Sequence, residues 1–327
     1  MSKIVTYSPA YTVVPTYECF NRCNYCNFRS EPGQSSWLSL SEAEKILLSL
    51  KNQGIIEILI LSGEVHPNSQ YRQAWFQLIY DLCKLALSLG FLPHTNVGPL
   101  SQPEMKDLKQ VNVSMGLMLE QITPKLLETV HRNAPSKRPH LRLQQLEWAG
   151  ELRIPFTTGL LLGIGETVTD WKETLEAIAN IHQKWGHIQE VILQPYSPGN
   201  LEIWNGEGFE LNLLPEVVAI ARQILPSDIT LQIPPNLVTK PEILLACLEN
   251  GAGDLGGIGP LDEVNPDYPH LHYQALVKVL EFEGWELIKR LPVYSQYDNW
   301  LPINLKNIVS KWRSKLSVKL SPVQSEL

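Results

Sequence analysis

Three cysteines stand close together near the start of the chain, in the run YECFNRCNYCNF. Cys19, Cys23 and Cys26 have the spacing C-x3-C-x2-C, and no fourth cysteine follows nearby. A four-iron cluster normally takes four thiolates, so this trio predicts a 4Fe-4S cluster with three liganded irons and one open iron. An open iron can bind a reactant, which indicates catalysis rather than storage.

Two other roles for these cysteines stay open at this point. Zinc sites normally have four ligands, often from paired C-x2-C units, and only one such unit is present; His66 or His94 could supply a fourth ligand. Disulfides are disfavoured, because five cysteines in 327 residues without a signal peptide pattern indicate a reducing cytoplasm. Cys83 and Cys247 fall in apolar helical runs, where free cysteine behaves as a small buried hydrophobe.

Length and composition fit one large domain in the cytoplasm. An α/β barrel occupies about 250 residues, and this chain has 327. The apolar share is 44%, yet no apolar stretch approaches the roughly 20 residues of a membrane span. The 27 basic and 34 acidic residues give a net charge of -7, which disfavours nucleic-acid binding. We therefore expect neither membranes nor nucleic acid as partners.

Short runs of Ile, Val and Leu alternate with longer helical patterns, which is typical of βα units. The pattern predicts an α/β fold, a (βα)8 TIM-barrel-like architecture, over residues 1–284. The eight predicted strands begin near Thr12, Ile56, Leu92, Val111, Pro155, Glu190, Thr230 and Gly253. Residues 285–327 fit this pattern poorly, so we expect a C-terminal helical extension that packs on the barrel, with an amphipathic helix in LKNIVSKWRSKL.

Two helix starts carry capping signals. Ser41 with Glu44, and Ser101 with Glu104, each have the spacing of a capping box. Both pairs precede apolar helical runs, so we expect helices to begin at these serines.

Polar side chains follow the predicted strands at their carboxyl ends, where the reactive groups of a parallel barrel collect. From the first strand to the sixth, these residues are Cys19, Glu64, Asn96, Glu120, Glu166, and Gln194 with Tyr196. Their common position predicts one catalytic end of the barrel.

The cysteine run, with Tyr25 just before its last cysteine, resembles the signature of the radical S-adenosylmethionine (SAM) enzymes. The resemblance implies that the open iron binds SAM and that an electron cleaves it to a 5'-deoxyadenosyl radical. The segment SGE resembles the family's GGE motif, which accepts from the SAM amine, and GLLLGIGE resembles its adenine-binding GxIxGxxE motif. By these resemblances the metal ligands are Cys19, Cys23 and Cys26, and the SAM-binding residues are Tyr25, Ser62, Gly63, Glu64, Gly159, Leu161 and Gly163. Resemblance to the family's ribose contact at the fourth strand adds Ser114 and Glu120.

Over most of the chain, the segments TYSPAYTVVPTYECFNRCNYCNFR, SMGLMLE, QEVILQPYSP and DLGGIGPLDEVNP resemble the CofG subunit of the FO synthase family. The resemblance implies a radical SAM carbon-nitrogen lyase. Such an enzyme forms 7,8-didemethyl-8-hydroxy-5-deazariboflavin (FO) from 5-amino-5-(4-hydroxybenzyl)-6-(D-ribitylimino)-5,6-dihydrouracil, with loss of ammonia. It also implies that a CofH subunit supplies this adduct and that a flavodoxin or ferredoxin supplies electrons.

The adduct has a phenol, a pyrimidine dione and a polyol chain, so its pocket needs hydrogen-bonding groups around apolar surface. His66 or His94 could be the base that takes the phenolic or amine proton. By their position at strand ends, the candidates for substrate contact are Asn96, Gln194, Tyr196, Asp254, Asp262 and Asn265.

Two other functions remain open from the sequence. One is a different full-barrel radical SAM enzyme, of the biotin synthase or hydrogenase-maturation type. An auxiliary cluster would need more cysteines than Cys83 and Cys247, which disfavours the sulfur-inserting members. The other is an iron-sulfur protein for binding or electron transfer, which the polar residues at six strand ends disfavour.

Overall fold

A computed structural model of the protein describes residues 3–269 and 273–320. Strands and helices alternate through most of the chain. The strands are β1 (Lys3–Val13), β2 (Glu57–Leu61), β3 (Leu92–Asn96), β4 (Ser114–Gly116), β5 (Phe156–Leu162), β6 (Ile188–Pro195), β7 (Thr230–Gln232), β8 (Ala252–Ile258) and β9 (Trp285–Lys289). The helices are α1 (Leu40–Ser49), α2 (Arg72–Ser88), α3 (Gln102–Leu108), α4 (Pro139–Glu151), α5 (Val168–Trp185), α6 (Leu214–Ile224), α7 (Pro241–Glu249), α8 (Tyr273–Phe282) and α9 (Ile303–Leu320).

The first eight strands form a closed parallel barrel. They run in the order β2-β3-β4-β5-β6-β7-β8-β1, and β1 also pairs with β2, which completes the ring. The intervening helices bury their apolar faces outside it: Trp75 and Ile79 of α2 and Leu175 and Ile178 of α5 are fully buried. The predicted TIM-barrel-like fold is confirmed.

The first strand begins earlier than predicted, at Lys3 rather than near Thr12. Ser8 and Pro9 look like an interruption in the sequence, because proline lacks the N–H that a central strand donates. The structure accommodates them with a register shift between Thr6 and Ser8 on the β8 side. Residues 3–7 of β1 pair with β9, and residues 10–13 pair with β2. The first residues of the strand therefore have hydrogen-bonding partners of their own.

One of the two predicted capping boxes is wrong by two residues. Helix α1 is capped by Ser39, whose hydroxyl accepts from the N–H of Glu42 while the Glu42 carboxylate accepts from the N–H of Ser39. Ser41 and Glu44 share the same spacing but fall inside the first helical turns. Helix α3 is capped by Ser101 and Glu104 as predicted.

The C-terminal residues close the amino-terminal end of the barrel. Strand β9 extends the sheet beside β1, and α9 contains the predicted amphipathic helix. A second apolar cluster joins the starts of three barrel strands to this segment, through Ile56, Leu92, Val113, Leu291, Val293, Tyr297, Leu301, Leu305 and Val309. The domain boundary between residues 284 and 285 stays a prediction.

Among the helices of the described residues, none has both the length and the apolar character needed to cross a bilayer.

Candidate active site

A cavity of ≈ 370 Å³ runs along the inside of the barrel, from the loops after the strands down to the C-terminal segment. Alternate residues of a strand face the same side, so residues i, i+2 and i+4 line the cavity in successive layers. From the closed end upward, β2 contributes Glu57, Leu59 and Leu61, and β6 contributes Glu190, Ile192 and Gln194. The cavity therefore has a polar floor, an apolar middle and a polar mouth.

The three cysteines of the short motif lie together at the mouth. Cys19, Cys23 and Cys26 are free and line the cavity. Backbone hydrogen bonds fix their loop: the N–H of Cys19 donates to the Ser30 carbonyl at 3.1 Å, and the N–H of Cys26 donates to the Cys23 carbonyl at 3.1 Å. Phe20 N–H donates to the Glu64 carbonyl at 3.0 Å, which ties the loop to the end of β2.

The surroundings of these thiols fit an iron-sulfur cluster. Burial raises the pKa of Cys19 to about 11 and that of Cys23 to about 12, so both stay neutral unless a metal takes the place of the proton. Within residues 3–269 and 273–320, no three His, Cys, Asp or Glu side chains converge on a point where one ion could bind. A 4Fe-4S cluster does not need three side chains around one ion, because each thiolate binds a different iron.

The segment Ser62 to Glu64 lies directly beside the cysteine loop and lines the same cavity. Gly63 N–H donates to the Thr16 carbonyl at 2.8 Å, and a side chain at position 63 would overlap the backbone carbonyl of Glu18. The Ser62 hydroxyl donates to the Gly63 carbonyl at 2.8 Å and accepts from Trp75 Nε1 at 3.0 Å. The Ser62 hydroxyl therefore both donates and accepts a hydrogen bond within the protein.

The Glu64 carboxylate is held at the mouth by two donors. Asn21 Nδ2 donates to one oxygen at 2.8 Å, and Arg142 Nη2 lies 3.3 Å from the other. Gly98 leaves room for this carboxylate, because a side chain there would overlap it. An oriented, partly satisfied carboxylate is suited to accept from an ammonium group.

A second carboxylate at the mouth, that of Glu120, is paired with a lysine. Lys137 Nζ lies 2.5 Å from Glu120 Oε1, and both side chains are nearly buried. Glu120 has a φ of 63°, a left-handed conformation that is uncommon for this residue type. Its N–H donates to the Gly159 carbonyl at 3.0 Å, which ties the segment after β4 to β5.

Three of the other predicted SAM-binding residues take different positions. Tyr25 lines the cavity, and its hydroxyl lies 2.9 Å from His131 Nε2; Leu161 also lines the cavity. Ser114 is instead fully buried behind the cavity lining, next to His94, where its hydroxyl donates to the Pro292 carbonyl at 2.6 Å.

The two glycines of the adenine-type motif act through the backbone. Gly159 lies where a side chain would overlap the Ile192 carbonyl. Gly163 has a φ of 92°, in the left-handed region that favours glycine. The Glu166 carboxylate accepts from the N–H of Gly163 at 2.6 Å and from that of Ile164 at 2.8 Å, so it organises this loop.

The structure brings most of the predicted substrate residues together. The residues that line the cavity are Asn96, Gln194, Tyr196, Asp262 and Asn265. Asp254 is fully buried behind the wall, where Arg290 donates to it through Nε at 2.6 Å and Nη2 at 2.8 Å.

The two histidines proposed as bases lie in different places. His94 lines the floor of the cavity, and burial with the nearby Arg290 cation lowers its pKa to about 3. His66 is exposed outside the cavity, where its ring packs edge-on against Phe20. The geometry therefore brings only His94 to the cavity.

Several residues of the cavity were not predicted from the sequence. They are Asn21, Glu57, Lys137, Arg142, Glu190 and Arg290. Asn21 lies within the cysteine motif, so its place between two cysteines was an available signal. Lys137 and Arg142 follow β4 without a recognisable spacing, and Arg290 comes from the C-terminal segment, so only the folded chain shows that these residues face the cavity.

The fold and the thiol-lined cavity define the site of a radical SAM enzyme. The family model described as "Radical SAM superfamily" matches residues 13–178. The X-ray structure of the FeFe-hydrogenase maturase HydG from Carboxydothermus hydrogenoformans has the same fold, with a TM-score of 0.73 at 19% identity over 98% of this chain and 79% of that one.

Two relatives narrow this class. The chain is 82% identical to the 7,8-didemethyl-8-hydroxy-5-deazariboflavin synthase of Trichodesmium erythraeum over 318 residues, which cover 97% of this chain and 100% of that protein. It is 71% identical to the 7,8-didemethyl-8-hydroxy-5-deazariboflavin synthase of Trichormus variabilis, over 95% of this chain and 91% of that protein. The chain belongs to the 7,8-didemethyl-8-hydroxy-5-deazariboflavin synthase family, within the radical SAM superfamily.

Proposed function

We propose that this protein forms 7,8-didemethyl-8-hydroxy-5-deazariboflavin (FO) from 5-amino-5-(4-hydroxybenzyl)-6-(D-ribitylimino)-5,6-dihydrouracil, with loss of ammonia. The observation that carries the proposal is one continuous cavity that joins the cysteine loop to a polar floor, in a chain 82% identical to a synthase of that name. A radical formed at the mouth would meet a substrate held below it in the same enclosure.

Cys19, Cys23 and Cys26 would hold a 4Fe-4S cluster at the mouth of the cavity. When bound, the cluster and SAM supply a 5'-deoxyadenosyl radical that removes a hydrogen atom from the adduct. Glu64, held by Asn21 and Arg142, would accept from the SAM ammonium group. The backbone beside Gly63 would approach SAM closely, because no side chain stands there.

Other residues at the mouth would position the rest of SAM. Glu120 would accept from the ribose hydroxyls while Lys137 holds its carboxylate in place. Tyr25, with Leu161 near it in the cavity wall, would pack beside the adenine. The protein's task is to orient the reacting groups and to exclude water from a highly reactive radical, and a closed barrel serves both needs.

The proposed reaction needs partners that supply substrate and electrons. A CofH subunit would provide the adduct, and a small reductant such as flavodoxin or ferredoxin would provide the electron. The five free thiols of the chain fit a reducing cytoplasm, which we propose as the location.

An anaerobic turnover experiment tests this function. The reconstituted protein receives dithionite, SAM and the adduct, while deazaflavin fluorescence and 5'-deoxyadenosine are followed together. We expect both products in the wild type and neither in Cys23→Ala. Deoxyadenosine without deazaflavin would reject the substrate, and an intact cluster that yields neither product would favour an electron-transfer protein.

A further inference from the structure

The floor of the cavity carries an unusual concentration of buried polar groups. We define the floor as Glu57, His94, Thr157, Glu190 and Arg290, all of which line the cavity at its closed end. Glu57 is 7% exposed and Glu190 is 4% exposed. Buried polar groups without partners are costly, so those that stay unpaired invite a ligand.

Hydrogen bonds within the floor fix the tautomer of His94. The Ser114 hydroxyl has one proton, which it donates to the Pro292 carbonyl at 2.6 Å. It must therefore accept from His94 Nδ1, which lies 2.7 Å away. Since the lowered pKa keeps the ring neutral, Nε2 carries a lone pair. Nε2 has no partner among the described residues, and it lies beside Gly116, where an added Cβ would approach it to 2.9 Å.

Glu57 offers a second acceptor. Among the described residues the Ser8 hydroxyl approaches its carboxyl group and lowers the carboxyl pKa against the rise that burial causes, and the carboxyl keeps further acceptor capacity for a ligand. Glu190 differs because it is already bound by Arg290, by Thr157 Oγ1 at 3.0 Å and by the Tyr294 hydroxyl at 3.1 Å. The free hydrogen-bonding capacity of the floor is therefore mainly that of acceptors on β2 and β3.

The charges of the floor exclude ionic ligands. Burial raises the pKa of Glu57 and that of Glu190, which leaves the Asp254 carboxylate to balance the Arg290 guanidinium, so the floor has no net charge to attract an anion. Arg290 in turn disfavours a cation, as it disfavours protonation of His94. A neutral ligand with several hydroxyl donors meets both conditions. Above the floor, Leu59, Met118 and Ile192 form an apolar layer that suits a flat ring.

We infer that the floor binds the polyhydroxylated chain of the substrate, with Glu57 and His94 Nε2 accepting from its hydroxyls. This inference rests on the proposed function, which supplies the ribityl chain. It places the ring system in the apolar layer and the reacting carbon nearer the mouth. His94 then acts as a fixed acceptor for substrate, not as a base.

Equilibrium binding of two fluorescent probes tests the inference on the reconstituted protein without turnover. The probes are FO and an analogue with a methyl group in place of the ribityl chain. We expect the wild type to bind FO on the order of 100-fold more tightly, at roughly ten-fold per hydrogen bond. Glu57→Met, which removes the acceptor, and His94→Phe should each lose about ten-fold of this preference.

The control variant is Thr158→Val. Thr158 neighbours Thr157 on β5 but is fully buried outside the cavity lining, and its hydroxyl has no partner among the described residues. It should keep the wild-type preference. Circular dichroism and iron content identify any variant that has not folded. If one of the two floor variants has not folded, the binding preference of the other one tests the inference.

An equal preference in wild type and both floor variants would overturn the inference. A third probe, FO without its ring hydroxyl, gives a second test. If the floor variants lose discrimination against this probe instead of against the probe without the chain, the floor binds the phenol and the inference is wrong. Absence of FO formation in turnover, with the binding preference intact, would reject the proposed function while the polyol site stands.

Discussion

The two ends of the cavity are built from different kinds of structure. The mouth is made of loops, in which Cys19, Cys23 and Glu64 are held by short backbone and side-chain hydrogen bonds. The floor is made of residues on four barrel strands, with Arg290 inserted from the C-terminal segment. Loops can change without loss of the barrel, whereas floor residues are part of its core. We therefore expect changes at the mouth to abolish chemistry and changes at the floor to affect stability and substrate choice.

The largest effect is expected for the cysteines at the mouth. Cys23→Ala removes one of the three proposed cluster ligands, so the anaerobically reconstituted variant should lose the cluster and all deoxyadenosine formation. Iron content and visible absorbance measure this loss. Cys247→Ala is the matched control, because Cys247 is fully buried in the apolar core outside the cavity lining, so the variant should keep full iron content. Loss of iron in both variants would mean that the cysteines act only through folding.

Removing the buried cation of the floor should cause a large loss in the free energy of unfolding. Arg290→Met leaves the buried Asp254 carboxylate without its cation, which typically costs about 3–5 kcal/mol. Urea unfolding measures the change. Arg313→Met, in the partly exposed pair with Asp298, should cost no more than about 1 kcal/mol. Similar losses in both variants would contradict the contrast between the two ends.

A glycine at the mouth should affect SAM binding rather than the barrel. In Gly63→Ala the new methyl group would overlap the Glu18 carbonyl and shift the segment beside the cysteine loop. We expect SAM affinity, measured by equilibrium dialysis, to fall by at least about ten-fold, equivalent to roughly 1.4 kcal/mol. Gly33→Ala provides the control, since its φ of 85° is strained for alanine but nothing lies within 4 Å. Unchanged SAM binding in Gly63→Ala would place SAM elsewhere.

The smallest effect is a pH dependence of stability from the floor. Burial raises the pKa of Glu190 to about 8, with Asp254 and Glu57 adding to the shift against the attraction of Arg290. Between its ordinary pKa near 4.3 and this value, the folded protein holds a proton that the unfolded chain has lost, so stability falls as pH rises. The fall is up to about 1.4 kcal/mol per pH unit for one group.

The free energy of unfolding is measured at roughly pH 7 and pH 8. This interval separates Glu190 from the buried histidines, whose effect on the pH dependence of stability lies below their ordinary pKa of about 6.5. Glu190→Gln should remove much of the slope. Glu147→Gln, which changes a carboxylate paired with Lys184 on the surface, should leave it in place. A slope that persists in Glu190→Gln would show that the carboxyl is ionised throughout this range.

The sequence was informative wherever the signal is local. Cysteine spacing located the mouth, and alternating apolar runs located the strands, because both depend on neighbours along the chain. The floor has no such signal. Glu57 and Glu190 sit at the start of apolar strands, and Arg290 meets Asp254 only through folding of the C-terminal segment. The start of β1 was missed for the related reason that its first residues are paired by β9, far along the chain.

We expect the mouth to hold a cluster with one open iron that SAM binds. Electron paramagnetic resonance of the reduced, reconstituted protein tests it directly, with and without SAM. We expect a 4Fe-4S signal whose shape and g-values change when SAM is added, and no such signal in Cys23→Ala. A cluster signal that SAM leaves unchanged would show that no iron is open, because every iron would then be fully ligated by the protein.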